Sequence, residues 1–427
     1  MYKKTVLKNG LRIITTPTSD TETVTVLILV KTGSKYEDKE ISGISHFLEH
    51  MLFKGTSNKK TAFEVIEPLD EIGGLSNAFT GEEYTGYFAK VQSKHIDVAI
   101  DALSDIYLNS TIPKKEIEKE RGVIKEEFNM YLDNPMMYVS EVWKKLLYGD
   151  QPAGRDIIGT KKTIETISRK QILDYMRSQY TAENTVVSIA GKFDEKKTIL
   201  KIKKVFKNIL KGKGKEKEVV FENQKEPNVL ILKKNTGQSQ IGVGFRGYNM
   251  FHKDKYVLDV MANLLGGPMS SLMFTEIREK QGLAYYIKTY NSSDTDTGNL
   301  VTFCGMDTKK IYKGISSILK EYEKLTKKEI SKKELEKAKN YLKGKTVLSF
   351  ESSNAKANFY GMQEILTGEI KELEEIFKEI DKVTASNIKR VSESIFTFEN
   401  LNLAIIGPFD NKEKFKKLLL NYGKEIS

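Results

Sequence analysis

The sequence contains an internal repeat, and this repeat constrains the fold more than any other feature. Ile164–Asp194 aligns without a gap on Ile380–Asp410, with about ten of 31 positions identical and a constant offset of 216 residues. Each copy has the pattern of a helix, then a turn, then a strand that ends at Gly191 or Gly407. Two such copies, half a chain apart, predict two similar domains.

The stretches around the repeat predict an α+β fold. Strand-like runs such as TVTVLILV alternate with long helical runs such as KKELEKAKNYLKGKTVLSF. We expect two homologous domains, each with a mixed or antiparallel β-sheet packed against helices. A stretch rich in Gly, Lys and Glu separates them. It places the N-terminal domain at residues 1–212, a linker at 213–227 and the C-terminal domain at 228–427.

The charge of the chain is positive, but its distribution argues against a nucleic-acid partner. The net charge is +11 over 427 residues, and the lysines are interleaved with glutamates. The densest basic stretch, residues 201–218, offers only Phe206 for base stacking. These features indicate a lysine-rich, solvated surface and no nucleic-acid binding.

Three features concern the compartment. No apolar run is as long as a membrane span. The first residues enter a hairpin signal at Asn9-Gly10 without the pattern of a cleaved leader. The single cysteine, Cys304, excludes an intrachain disulfide and fits a reducing compartment. We therefore expect a soluble, cytoplasmic protein without a membrane partner.

The pentapeptide His46-Phe47-Leu48-Glu49-His50 is the strongest candidate site. At 100° per residue, a helix gathers both imidazoles and the carboxylate on one face and apolar side chains on the other. Ser42 is expected to cap this helix and Gly55 to end it. Two imidazoles one turn apart suit zinc. The alternative is a pair of surface histidines without a metal.

A catalytic zinc usually has three protein ligands, so a third is expected downstream. In the helical stretch EIEKERGVIKEEFNMY, Glu120 and Glu127 lie within the apolar face, whereas Glu126 lies on the solvated face. A buried carboxylate is costly unless it is paired or binds a metal. The phase therefore favours Glu127 or Glu120 over Glu126. The alternative, an intrahelical ion pair, is disfavoured because no lysine shares that face.

The segments GISHFLEHMLFKGT and ERGVIKEE resemble the inverted-zincin metallopeptidases, a family that includes pitrilysin, insulin-degrading enzyme and the mitochondrial processing peptidase. The resemblance covers nearly the whole chain. It implies that His46, His50 and Glu127 bind zinc, since Glu127 follows His50 by 77 positions. It also implies that Glu49 is the general base and that Glu120 supports a ligand histidine.

Two further segments extend the resemblance. GGLSNAFTGEEYTGYFAK is similar to the family's substrate-facing strand, which implies that Asn77, Ala78 and Phe79 contact the cleaved peptide. LLGGPMSSLMFTEIREKQGLAYYI is similar to the stretch that carries an Arg and Tyr pair, here Arg278 and Tyr285. The second domain has no His-x-x-Glu-His of its own, which implies one zinc ion per chain.

The resemblance implies a zinc-dependent endopeptidase that hydrolyses unfolded or extended peptides. It also implies a homodimer, in which each chain forms half of a clamshell around a closed chamber. The alternative is a catalytically silent structural or processing-complex subunit, because the family also supplies such subunits to respiratory complexes. The complete ligand set and the base favour the enzyme.

Overall fold

The structure is a computed structural model that describes residues 1–426. Within these residues the β-strands are β1 Lys3–Val6, β2 Arg12–Pro17, β3 Thr23–Val30, β4 Leu75–Thr80, β5 Thr85–Gln92, β6 Thr185–Gly191, β7 Asn228–Lys233, β8 Gln238–Arg246, β9 Ala284–Ser293, β10 Gly298–Asp307 and β11 Leu401–Gly407. The α-helices are α1 Ile44–Leu52, α2 Ala62–Asp70, α3 Ile96–Asn109, α4 Lys114–Asp133, α5 Pro135–Tyr148, α6 Lys161–Thr166, α7 Arg169–Gln179, α8 Glu195–Val205, α9 Lys255–Gly266, α10 Ile311–Lys327, α11 Lys332–Ser349, α12 Ser353–Thr367, α13 Leu373–Asp381, α14 Ala385–Ile395 and α15 Lys412–Ile426. None of the helices in this part of the chain is long and apolar enough to cross a membrane.

The chain forms two compact units, and neither is continuous in sequence. The first unit consists of Met1–Asn129, Arg155–Glu218 and Val347–Glu372. The second unit consists of Met130–Gly154, Val219–Thr346 and Leu373–Ser427. The continuous domain boundaries at 212 and 228 stay a prediction. By packing, however, α5 belongs to the second unit and α12 to the first.

The two units contain mixed sheets of the same design, which confirms the predicted α+β fold. The first sheet has the strand order β1-β2-β6-β3-β5-β4, and the second has the order β7-β11-β8-β10-β9. In the first sheet β6 is parallel to β2 and antiparallel to β3. In the second sheet β11 is parallel to β7 and antiparallel to β8. The repeated strand therefore occupies the equivalent place in each sheet.

The repeat forms a capped helix followed by a fully buried strand in both copies. Helix α7 begins with a capping box at Ser168, and α14 begins with one at Thr384. The shared asparagines also make equivalent hydrogen bonds. Asn184 Nδ2 donates to the carbonyl of Gln179 at 2.8 Å, and Asn400 Nδ2 donates to that of Ile395 at 3.4 Å. Each thus satisfies a carbonyl at the end of its helix.

Helix α12 covers one face of the first sheet. Its buried residues Ala357, Tyr360 and Ile365 join a core with apolar side chains of β2, β3 and β6. Gly361 lies so close to the sheet that a Cβ there would approach Leu29 Cδ1 to 2.9 Å. The hydroxyl of Ser188 donates to the carbonyl of Ala357 at 2.8 Å. One face of the first sheet is thus covered by a helix from the C-terminal third of the chain.

Helix α5 covers one face of the second sheet in the same manner. Trp143, the only tryptophan, is 2% exposed and packs with Val301 and Ile406. Its indole Nε1 donates to Asn299 Oδ1 at 2.9 Å, which satisfies the one polar atom of the ring. Each sheet is therefore covered by a helix from the other half of the sequence.

Candidate metal centre

Helix α1 presents the two histidines of the candidate site. As the periodicity predicts, its apolar side chains are buried, with exposed fractions of at most 1% for Ile44, Phe47, Leu48, Met51 and Leu52. The side chains of His46 and His50 are 12% and 20% exposed. Their ring centroids lie 4.6 Å apart. The buried face fixes the helix, and the histidines occupy the other face.

The N-terminus of α1 is capped by Glu37, so the expectation that Ser42 caps it is wrong. The carboxylate of Glu37 accepts the backbone N–H groups of Gly43 at 2.6 Å and Ser45 at 2.8 Å. Gly43 has φ 93°, in the left-handed region, and the Ser42 hydroxyl is buried without a partner among the described residues. Burial raises the pKa of Glu37 to about 8, although its backbone hydrogen bonds act in the opposite direction.

The C-terminus of α1 also differs from the expectation, because the helix ends at Leu52 rather than beside Gly55. The backbone N–H of Phe53 donates to the carbonyl of His50, and the backbone N–H of Lys54 donates to the carbonyl of Met51. Gly55 follows with φ 140°. The turn after the helix brings Lys54 to the candidate site.

Helix α4 supplies the acidic side of the site. Glu120 is 4% exposed, the side chain of Glu127 is 25% exposed, and Glu126 is exposed to solvent. Glu127 Oε2 lies 3.5 Å from His46 Nε2 and 3.5 Å from His50 Nε2. The hydrogen bond with His46 outweighs burial and holds the pKa of Glu127 below its usual range. The structure therefore brings Glu127, and not Glu126, to the histidines.

The three side chains fit a zinc ion. One ligand atom from each of His46, His50 and Glu127 lies within 4.8 Å of the others. Two ligands of a tetrahedral zinc ion are about 3.3 Å apart, because each Zn–N bond is about 2.0 Å long. The observed separations of 3.5 Å are close to that value. Among residues 1–426 this is the one cluster of three such side chains.

Glu120 holds His50 and is itself held by Lys54. Its Oε1 lies 3.2 Å from His50 Nδ1, and its Oε2 lies 2.6 Å from Lys54 Nζ. Burial raises the pKa of Glu120, but the hydrogen bonds with His50 and Lys54 outweigh it, so the pKa is below its usual range. An ionised Glu120 accepts a hydrogen bond from His50 Nδ1–H, which leaves the lone pair of His50 Nε2 available. The sequence analysis missed Lys54, although it follows His50 by four positions.

Glu49 lies on α1 between the histidines, and its carboxylate is bound by a residue that the sequence analysis did not single out. The hydroxyl of Thr80, the last residue of β4, donates to Glu49 Oε2 at 2.5 Å. No periodicity connects these two residues, because they lie 31 positions apart on different elements.

The three predicted substrate-strand residues lie on an edge strand. Asn77, Ala78 and Phe79 belong to β4, which pairs with β5 and ends the strand order of the first sheet. Asn77 is exposed, and its Oδ1 accepts the backbone N–H of Ala78 at 2.9 Å. Their contact with a peptide stays a prediction.

Arg278 and Tyr285 belong to the second unit. Arg278 lies in a π-helical segment, Phe274–Lys280, and its guanidinium is 4.6 Å from the centroid of the Phe274 ring. Tyr285 lies on β9, and 72% of it is exposed. Their role as a substrate-binding pair stays a prediction.

Most of the chain matches models of known protein families. Residues 12–161 match the family model described as Insulinase (Peptidase family M16). Residues 166–342 match the model described as Peptidase M16 inactive domain.

Individual proteins are similar over nearly the full length. The uncharacterized zinc protease YmxG of Bacillus subtilis is 38% identical over 414 residues, which cover 96% of this chain and 99% of that protein. A protease from Helicobacter pylori has a crystal structure with a TM-score of 0.89 and 25% identity, covering 96% of this chain and 99% of that one. A chain of complex III2 from Candida albicans has a TM-score of 0.84 at 18% identity, covers 98% and 99% respectively, and shows a shared fold alone.

Proposed function

Because the chain belongs to peptidase family M16, we propose that it is a zinc-dependent endopeptidase with one zinc ion per chain, held by His46, His50 and Glu127. The convergence of these three side chains, two of them on the helix that carries Glu49, is the main support. When bound, zinc would supply a Lewis acid that polarises the scissile carbonyl and makes a water molecule more acidic. The donor set of two imidazoles and one carboxylate suits such a catalytic ion.

Glu49 is the proposed general base. It lies on the same helix as both histidines but is not one of the three clustered side chains. It takes a proton from the attacking water and returns it to the leaving amine. Arg278 and Tyr285, by family resemblance, would hold the peptide backbone and stabilise the negative charge that develops on the carbonyl oxygen.

The proposed substrates are unfolded or extended peptides, cleaved within a closed chamber formed by two chains. Strand β4 supports this substrate class because it is the edge strand of the first sheet and its last residue, Thr80, contacts Glu49. An extended peptide can add to such an edge through main-chain hydrogen bonds, with Asn77, Ala78 and Phe79 beside it. A strand inside the sheet of a folded protein is already hydrogen-bonded to its neighbours and cannot add in this way.

The test combines metal analysis with digestion of a random peptide library. The purified chain should contain about one zinc ion per chain and cleave the library. His50→Ala should lose zinc and activity together, whereas Glu49→Gln should keep zinc and lose turnover by at least about a hundredfold. His95→Ala is the matched control, because His95 lies outside the cluster. Turnover of Glu49→Gln within tenfold of the parent would contradict the assigned base.

The same experiment distinguishes the peptidase from the alternative, a catalytically silent subunit. A silent subunit needs neither a metal nor a base, so the parent protein would show no cleavage and Glu49→Gln would behave like it. Zinc-dependent cleavage that Glu49→Gln abolishes is incompatible with that alternative.

A further inference from the structure

The turn between β4 and β5 connects the proposed base to a buried cluster of charges. Thr80 ends β4 and Thr85 begins β5, so residues 81–84 form the turn. At one side of this turn, the Thr80 hydroxyl donates to Glu49 Oε2 at 2.5 Å. Within the turn, Glu83 is 3% exposed and carries a carboxylate into the interior.

A general base needs a fixed carboxylate. The Glu49 side chain has three rotatable bonds, and freezing them costs free energy that a partner must offset. With Oε2 bound to Thr80, the carboxylate is held in one rotamer and Oε1 remains for proton transfer. Since α1 and β4 are separate elements, the hydroxyl orients Glu49 only if the end of β4 is itself fixed.

Glu83 fixes that end through two lysines. Its Oε1 lies 3.1 Å from Lys35 Nζ and 3.2 Å from Lys217 Nζ. The Lys35 side chain is fully buried and that of Lys217 is 9% exposed. Buried charges are costly when separated, so moving the turn away from these lysines is strongly disfavoured.

The backbone holds the same turn. Ser34 N–H donates to the carbonyl of Gly81 at 3.3 Å, and Lys35 N–H donates to that of Glu82 at 3.0 Å. The approach is close, because a Cβ at Gly33 would lie 2.2 Å from the Gly81 carbonyl oxygen. The turn is therefore packed against the loop that leads into α1.

Lys217 comes from the segment that the sequence analysis predicted as a linker. This segment lies along the first unit: Gln179 Nε2 donates to the carbonyl of Lys215 at 3.4 Å, and Lys215 Nζ lies 2.9 Å from Asp38 Oδ1. Lys217 lies next to Glu218, the last residue of the first unit before the chain enters the second. The connection between the units thus contributes a charge to the turn that carries Thr80.

We propose that Thr80 is a positioning residue for Glu49, and that the cluster Lys35–Glu83–Lys217 keeps Thr80 in place. The segment connecting the two units thereby sets the activity of the base. This inference rests on the proposed peptidase function.

The first test compares Thr80→Val with Thr80→Ser. Valine keeps the shape and loses the donor, so kcat should fall at least about tenfold while KM stays within about twofold and the zinc Kd is unchanged. Serine keeps the hydroxyl and should restore kcat to within about threefold of the parent. Thr166→Val, at an exposed helix position, is the matched control and should leave kcat unchanged.

The second test is a double-mutant cycle with Lys217→Met. This variant leaves Glu83 paired with Lys35, so the chain should still fold, and kcat should fall about three- to tenfold. In the Thr80→Val background the same change should add little, because both act through one contact. Lys213→Met, at an exposed position of the same segment, is the matched control and should leave kcat unchanged.

Each outcome decides one question. A zinc-loaded parent without peptidase turnover would overturn the proposed function itself. With an active parent, the positioning role fails if Thr80→Val turns over at the parent rate, if Thr80→Ser is as slow as Thr80→Val, or if Thr80→Val loses zinc or unfolds. Multiplicative losses in the Thr80→Val and Lys217→Met pair would overturn the role of the ion cluster.

Discussion

Glu37 and Ser45 are joined by a 2.8 Å hydrogen bond from the Ser45 backbone N–H to the Glu37 carboxylate, which closes the first turn of α1. The next residue, His46, is a proposed zinc ligand. A capping carboxyl group accepts hydrogen bonds from N–H groups that have no partner within the helix. The orientation of the histidines therefore depends on a buried acid that does not touch them.

The first prediction concerns the pH dependence of stability. Burial raises the pKa of Glu37 from 4.5 to about 8 in the folded protein. The folded state then binds a proton that the unfolded state has released, so stability falls as pH rises between these values, by up to about 1.4 kcal/mol per pH unit. Glu37→Gln should lower the thermal unfolding midpoint of the metal-free protein at pH 5, and the gap to the parent should narrow toward pH 8.

Glu40→Gln is the control for this prediction, because Glu40 is exposed in the same loop. Its midpoint should follow that of the parent at every pH. A constant gap between Glu37→Gln and the parent from pH 5 to 8 would mean that Glu37 is ionised throughout this range.

The second prediction separates two neighbouring acids. Glu127→Gln should weaken zinc binding at least about a hundredfold, since it removes a charged ligand. Glu126→Gln should change the zinc Kd by less than about threefold, because this side chain faces solvent. Competition with a chromogenic chelator measures both constants. If Glu126→Gln weakened zinc binding more than Glu127→Gln, the proposed ligand would be wrong.

The third prediction concerns the pair behind His50. Glu120→Gln should weaken zinc binding about ten- to a hundredfold, as is usual for a partner of a ligating histidine. Lys54→Met should have a smaller effect in the same direction, because Glu120 keeps its contact with His50. Lys59→Met is the matched control. Equal affinity in Glu120→Gln and the parent would show that His50 is oriented without Glu120.

The fourth prediction tests the proposed homodimer. If Arg278 and Tyr285 complete the site of the other chain, Glu49→Gln and Tyr285→Phe are each inactive alone, but a mixed dimer has one complete site. Random mixing makes half of the dimers mixed, so co-refolded equal amounts should recover roughly a quarter of the parent activity. A mass tag confirms the mixed dimers. No recovery in their presence would place both parts of the site in one chain.

The sequence predicted those features that depend on local pattern. The repeat predicted α7 with β6 and α14 with β11, because each pair is adjacent in the chain. Helical phase separated Glu127 from Glu126, because neighbouring residues of a helix point about 100° apart and Glu126 is the one that faces solvent. Each of these features depends on residues within one helix, or within a helix and the strand that follows it.

The features that the sequence analysis missed depend on contacts outside the periodic pattern of a single helix or strand. Local rules favoured Ser42 as the cap of α1, but Glu37, six residues before Gly43, accepts the N–H groups of Gly43 and Ser45. Thr80 and Lys54 carry no recognisable pattern, because their partners lie on other elements. Periodicity indicates that α5 and α12 bury a face, but not which sheet they cover.

The placement of α12 has a consequence for synthesis on the ribosome. The sheet of the first unit is complete in sequence once residue 191 has been made, yet the helix that covers Ile14, Leu27 and Leu29 is not finished until residue 367. During the intervening translation, at about 5–20 residues per second, the nascent chain carries an uncovered apolar sheet face for roughly 10–35 seconds. Nascent-chain chaperones therefore have a defined window in which to bind. A fragment that stops at residue 212 lacks α12, so its apolar sheet face stays uncovered and it should aggregate when expressed alone.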